Sequence, residues 1–443
     1  MRQSTKGSKL ATRAVALFSA LGLGLGLAAC GGGSTGTGTT GGGSNTAPIV
    51  LAALTGFTGA DAGYGPEVLA GCIPAANLIN KAGGVLGHKI SCQGFNTASD
   101  PSDAVPEARH MLSNTTNLLA VIGTGSNSAS AVVPIINAAK IPIFPSSGQS
   151  LFDVNSYPYF WRMVAVDAAQ GYAMAIGAKA LGHKNVAAVF ANTTSAMGSE
   201  PSFVQGMKLL NSPVVDTLIL PSAAASYSSE IVSLLEKHPQ VIVGELDPAT
   251  AATFFTELIQ LNGGKMLPVL GDEPESEAVW QKAVGGAIGQ SVMDKYVQLV
   301  LPESPFSSVG FQIYKQALLA SSVSDKASYT TDVYSASYFD SANIACLAAI
   351  EAHSINPAVL NNYILGIANG TPGAVVVHTF AAGKAALAAG KKIRYVGASG
   401  PVFFPKYHNW QPPYVVSRLN PNGSTTTVAP ISQTDLAKLI SQK

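Results

Sequence analysis

Short runs of consecutive apolar residues alternate along most of the chain with longer segments whose apolar positions recur every three or four residues. The short runs at 49–54, 90–95, 118–122 and 141–144 read as strands buried on both faces. Pro66 opens the first helix, which carries Leu69, Cys72, Ile73, Ala76 and Ile79 at helical spacing and stops at Gly83-Gly84. Helices are also expected at 102–113 and 129–139. After "YPYFWRM" (157–163) the alternation restarts, with helices at 167–181, 199–211, 227–237 and 249–262. Strands at 185–191, 214–220, 241–245 and 267–271 alternate with them. A helix over 333–352 and a short strand at 402–404 follow. Such alternation predicts an α/β fold of parallel sheets built from right-handed βαβ units. Its restart, in a chain too long for one compact core, predicts two domains.

Before position 47 the pattern changes. Arg2, Lys6, Lys9 and Arg13 precede an apolar stretch, Ala14–Ala29, that is short for a membrane span. A basic head and a short apolar core predict a secretory signal over 1–29. The core ends in "LAAC", which resembles a bacterial lipobox, and Cys30 is then the expected lipidation site. The Gly/Ser/Thr-rich run that follows makes 30–46 a flexible tether between membrane surface and folded domain. Net charge is +1, so no basic field for nucleic acid is evident. Outside the cytoplasm a cysteine pair can oxidise. Cys72, on a helix face, and Cys92, in the next strand, are the expected pair; buried free thiols are the alternative.

The stretch "VIGTGSNSAS" (121–130) looks like a dinucleotide-binding turn: a strand, glycines, then a helix. That reading needs an acid at the end of the following strand. The strand ends instead in "FPSSGQS" (144–150), and the first acid is Asp153. No cofactor is expected. What remains is two neighbouring strands ending in hydroxylated loops, Ser126-Asn127-Ser128 and Ser146-Ser147 with Ser150. Carboxyl ends of parallel strands are where open α/β sheets place ligands, and helix N-termini there favour a small anion. N-caps and turns alone would use the same residue types.

In order and spacing, several pieces together resemble the solute-binding proteins of branched-chain amino-acid type ABC transporters, of the type I periplasmic-binding fold. These are "LTGFTGADAGYG" (54–65), "NLINKAGGVLGHKI" (77–90), "DPSDAV" (100–105) and "VIGTGSNSASAVVPIINAAKIPIF" (121–144), then "FWRMVAVDAAQG" (160–171), "AVGGAIGQSV" (283–292) and "YVGASGPVFF" (395–404). The resemblance covers roughly 48–425. It implies two doubly wound parallel-sheet lobes joined by a three-segment hinge, one of 47–164 and 296–399, the other of 165–295 and 400–443. In the pocket it implies Tyr64 as an aromatic against the ligand, Ser126 or Asn127 in a glycine loop one residue shorter than usual, and Ser146, Ser147 and Gly148 at the ligand's charged end. Met197 stands where many members have a tyrosine, Asp247 lies at a further pocket position, and Glu273 matches the acid that meets an ammonium group.

The resemblance further implies a monomer on the outer face of the cell membrane that closes on a small polar solute and delivers it to an ABC permease. Members take aliphatic amino acids, amides, urea or aromatic acids; the acid at 273 and the hydroxylated loops favour a zwitterion. Two other readings are weighed against this one. A ligand sensor would use the same fold without transport. An exported hydrolase would need a nucleophile elbow, but there is no G-x-S-x-G, and the seven histidines are scattered without metal-ligand spacing. No enzymatic activity and no metal are expected.

Overall fold

The computed structural model describes residues 47–442 apart from 304, 405 and 423. Cys30, the signal segment and the tether fall outside the described residues. Among the described residues no helix is long and apolar enough to cross a membrane.

The first lobe is built on a four-stranded parallel sheet. Its strands are β1 (Ile49–Thr55), β2 (Ile90–Asn96), β3 (Leu118–Gly125) and β4 (Ile143–Ser146), in the order β2-β1-β3-β4. Strand β1 shows why the apolar runs are continuous. Ile49, Leu51 and Ala53 enter the core on one face, and Val50, Ala52 and Leu54 enter the core on the other. A strand covered by helices on both sides has no face left for polar residues.

The second lobe holds a seven-stranded sheet. It comprises β5 (Val186–Ala191), β6 (Asp216–Leu220), β7 (Val241–Val243), β8 (Val269–Gly271) and β9 (Val297–Pro302). A small sheet of β10 (Val375–Val377), β11 (Ile393–Gly397) and β12 (Gly400–Pro401) returns to the first lobe, and β13 (Tyr414–Leu419) and β14 (Thr425–Pro430) complete the larger one. The order is β14-β13-β9-β8-β7-β5-β6, parallel from β5 to β9, with β13 antiparallel to β9 and to β14.

Two lobe boundaries differ from the expected ones. Residues 296–302 were assigned to the first lobe, yet β9 lies inside the second sheet, with Val300 on one face and Leu299 and Leu301 on the other. Residues 400–413 were assigned to the second lobe, yet Val402, Phe404 and Trp410 pack in the first lobe's core. The strand expected at 402–404 is instead Gly400–Pro401, because the Phe404 backbone turns away to Asn369, whose side chain bonds both its N–H and its carbonyl at 2.7 and 2.8 Å. The chain therefore passes between lobes near 165, between 302 and 309, and between 410 and 414.

Helix Val333–Glu351 is buried on every side, wedged against helices Tyr64–Lys81 and Pro357–Asn369. Gly71 allows that approach: a Cβ there would overlap the Ser335 carbonyl. Cys72 and Cys92 form a disulfide that ties the first helix to β2, with Cα atoms 6.1 Å apart, and Cys346 is a buried free thiol.

Candidate functional site

The carboxyl ends of both parallel sheets open onto one cleft. From the first lobe come Ser126 after β3, Ser146 at the end of β4 and Gly148 just beyond it, and Tyr64 and Glu67 from the first turns of helix Tyr64–Lys81. From the second come Glu245 after β7, Asp272 and Glu273 after β8, and Ser195 and Ser199 after β5. Asp167 and Gln170, one turn apart on helix Asp167–Ala180, close one wall, and Tyr334 and Tyr338, also one turn apart, close another. The space between them, counted with its opening to solvent, is about 490 Å³.

The positions expected from sequence are placed unevenly. Tyr64, Ser126, Ser146, Gly148 and Glu273 line the cavity. The Ser126 hydroxyl donates to Ser147 Oγ at 3.3 Å, and Ser146 is hydrogen-bonded to the Tyr338 phenol. Ser147 is fully buried behind the wall and donates to Gln149 Oε1 at 3.2 Å. Asn127 lines an adjoining cavity, where its amide donates to Asp61 Oδ1 at 2.7 Å and its Oδ1 accepts from the Thr194 N–H across the cleft at 3.4 Å. Asp247 reaches the same adjoining cavity but is occupied as the N-cap of helix Pro248–Leu261, accepting from Thr250 N–H and Oγ1 and from Ser222. Met197 is outside both cavity walls and packs on the second lobe's core. A helical side chain there faces inward, and the neighbouring serines 195 and 199 take the cleft.

Electrostatically the cleft is one-sided. Five carboxyl groups line it, on Glu67, Asp167, Glu245, Asp272 and Glu273, and among the described residues no lysine, arginine or histidine does. The nearby Arg162 is buried behind the 146–149 loop, bonded to Asp153 at 2.9 Å and to the Gln149 carbonyl at 2.8 Å. Burial disfavours the charged form of each acid, and like charges add to it. Asp167 is pushed up to about 7 by burial, against the pull of Arg162. Glu273 is raised well above the usual carboxylate range by burial and then by Glu277. Burial likewise raises Glu67 and Glu245 well above that range, with Asp332 the next cause for Glu67 and Asp272 for Glu245. Each of these two shares a carboxyl–carboxylate hydrogen bond with that neighbour. Asp272 is also raised, by burial first and Glu275 next. Among the described residues no cluster of histidine, cysteine and carboxylate side chains is arranged to hold a metal ion.

A two-lobed α/β chain with a polar cleft at its strand ends is matched over residues 48–298, more than half its length, by the model of a family described as periplasmic binding protein. The chain belongs to that family. As a periplasmic binding protein it shares its fold with solved structures of low sequence identity. One is a leucine binding protein from Thermotoga maritima, 18% identical, covering 87% of this chain and 99% of that one with a TM-score of 0.66. Another is a solute binding protein of an ABC transporter from R. palustris, in complex with benzoate, 16% identical over 87% of this chain and 96% of that one, TM-score 0.66. A fatty acid ABC transporter substrate-binding protein from Thermomonospora curvata is 16% identical over 89% and 95%, TM-score 0.66. No curated protein matches the sequence.

Several lining residues of this periplasmic binding protein escaped the sequence reading. Glu67 sits at a buried position of an otherwise apolar helix face, which is itself a signal, since an unpaired acid there is costly. Glu245 lies two residues beyond β7, where ligand groups belong, and Asp272, directly after β8, is an acid at a strand end that the resemblance passes over for Glu273. Asp167 reads in sequence as an ordinary acid in a helix's first turn, and nothing local marks it otherwise.

Proposed function

We propose that this chain is the extracytoplasmic capture component of an ABC importer, held at the membrane by lipid on Cys30. It takes a small polar organic solute bearing an amine between its lobes and presents it to the membrane permease, with no chemical change to the solute. The observation that carries the reading is a cavity at the carboxyl ends of both sheets, walled by side chains from both lobes. A ligand touching both walls stabilises the closed arrangement over an open one, and its differential affinity drives hinge closure. Ser126, at the start of helix Ser126–Ala138, and the Ser146–Gly148 loop suit a carboxylate. Glu273 suits an ammonium group. The test is a thermal-shift screen of the purified protein against amino acids, amides, amines and aromatic acids, followed by small-angle scattering with the best hit. A rise in melting temperature with a smaller radius of gyration is expected; no stabilising compound, or stabilisation without compaction, overturns the reading.

A further inference from the structure

The cleft is more acidic than one ammonium group can account for. Its five carboxyls are divided between the lobes: Glu67 from the first, Asp167, Glu245, Asp272 and Glu273 from the second. Asp332 backs Glu67, and Glu275 and Glu277 stand behind the second group; among the described residues the positive charge near them is Arg162, which is already held by Asp153. Three oxygens on lining residues, Asp167 Oδ2, Gln170 Oε1 and Asp272 Oδ1, have no hydrogen-bond donor. Asp272 is only 2% exposed and Gln170 only 6%. The Gln170 amide nitrogen is fixed on the Val300 carbonyl at 2.7 Å, which leaves its oxygen as an acceptor. Each unmatched position is an acceptor, so the missing partner is rich in N–H donors. An adjoining cavity shares Glu67 and adds Glu277 and Asp332, extending the acidic wall.

We infer that the solute is a small organic polycation, carrying two or more ammonium or guanidinium groups, which bridges the carboxyls of the two lobes. The inference rests on the capture reading and deepens it. A polycation explains closure as well as selectivity. Without it, closing brings like charges into a dry cleft, which is unfavourable unless the carboxyls take up protons. With it, the same carboxyls become paired donors and acceptors across the lobes. Binding therefore ionises acids that are protonated in the empty cleft and releases protons, so affinity rises with pH.

Isothermal titration of the purified full chain with cadaverine, spermidine, L-lysine, L-leucine and benzoate, each in phosphate and in Tris at the same pH, tests this. At least one of the three polyamino compounds is expected to bind, with proton release shown by different heats in the two buffers. Glu245→Gln and Asp272→Asn should each weaken it at least tenfold and reduce the number of protons released, while neither lowers the melting temperature of the empty protein. Binding of leucine or benzoate but of none of the polyamino compounds overturns the inference and leaves solute capture standing. Binding of none of the five overturns it too, and a failed wider screen then removes the capture reading as well. Polyamine binding that is indifferent to both substitutions and to buffer places the cation outside the cleft and also overturns it.

Discussion

The Asp167 carboxyl group lies directly against the α-carbon of Gly148, with no space between them for a Cβ. The contact joins the lobes, because Gly148 belongs to the loop after β4 and Asp167 opens the helix that packs on the second sheet. The Asp167 N–H also donates to the Gly148 carbonyl at 2.9 Å. On its other side the same carboxyl touches Gly198, where a Cβ would again overlap it. Gly148 thus sets how closely the lobes approach at this acid, while Gly198 lets helix Ala196–Leu209 of the same lobe pack against it. Gly148→Ala should displace Asp167 and hold the cleft ajar, weakening the best ligand at least tenfold, which corresponds to about 1.4 kcal/mol. Scattering at saturating ligand should then show a larger radius of gyration than the unsubstituted protein; unchanged affinity and compaction would mean that this contact does not limit closure.

The empty protein should become less stable as pH rises. Asp167 is raised from 3.8 to about 7 and Asp61 from 3.8 to about 6, both chiefly by burial, and Glu67, Asp272 and Glu273 move the same way. These carboxyls hold protons more tightly in the folded chain than in the unfolded one. Their contribution is fully present below the unfolded value near 4 and is lost as pH passes through about 6 to 7. The melting temperature of ligand-free protein should therefore rise by a few degrees from pH 7.5 to pH 5.5. A flat or falling profile over that window would show that these acids are ionised in the empty cleft.

Much of this architecture could be read from the apolar pattern, and the reasons for success and failure are local. Strand β1 was clear because its two faces enter two cores, leaving six apolar residues in a row, Ile49 to Leu54. Strand β9 was not expected as a strand, and the resemblance places 296–302 in the first lobe, since membership of the second sheet depends on pairing with β8 and β13, which are distant in sequence. Ser126 and Ser146 stood out because hydroxylated loops at strand ends have a known use, and Gly148 through the resemblance. Glu67 and Asp167 did not, because a helix acid looks the same whether it faces water or a cleft. Only the packing of Tyr334 and Tyr338 opposite them, from a helix some 270 residues further on than Glu67, defines that wall.

The bridge between Cys72 and Cys92 closes a loop with a sequence separation of 20. In the chain-entropy model a loop of this size contributes about 3 kcal/mol. Cys72→Ala combined with Cys92→Ala should lower stability by about that amount in denaturant titration, and the same loss should follow reduction of the native protein. Non-reducing peptide mapping should find the pair linked and Cys346 alkylated only after unfolding. Equal stability with and without reductant would argue against the bridge in the exported protein.

Anchoring has its own test. A single acyl chain binds a membrane only marginally, so stable attachment at Cys30 needs more than one. Cys30→Ser should move the protein from the membrane fraction to the soluble fraction, or leave it unprocessed, without altering ligand affinity of the purified chain. A processed variant that remains on the membrane would require another mode of attachment.

Glu273 distinguishes a ligand with an amine from one without. It lines the cavity from the turn after β8, in the second lobe, near Tyr64, whose phenol is held neutral chiefly by burial. Among the described residues no cationic side chain lines the cavity beside it, and its proton affinity is raised by burial and then by Glu277. A bound ammonium group would reverse that balance and form a charge-assisted hydrogen bond of roughly 1.5–3 kcal/mol. Glu273→Gln keeps the shape and removes the charge, so it should weaken an amine ligand by roughly tenfold to a hundredfold. The empty protein should be no less stable, since a raised acid is replaced by a neutral amide. Calorimetric titration of the variant with the best amine from the screen decides it: unchanged affinity would take Glu273 out of the binding site and shift the ammonium contact to Asp272 and Asp167.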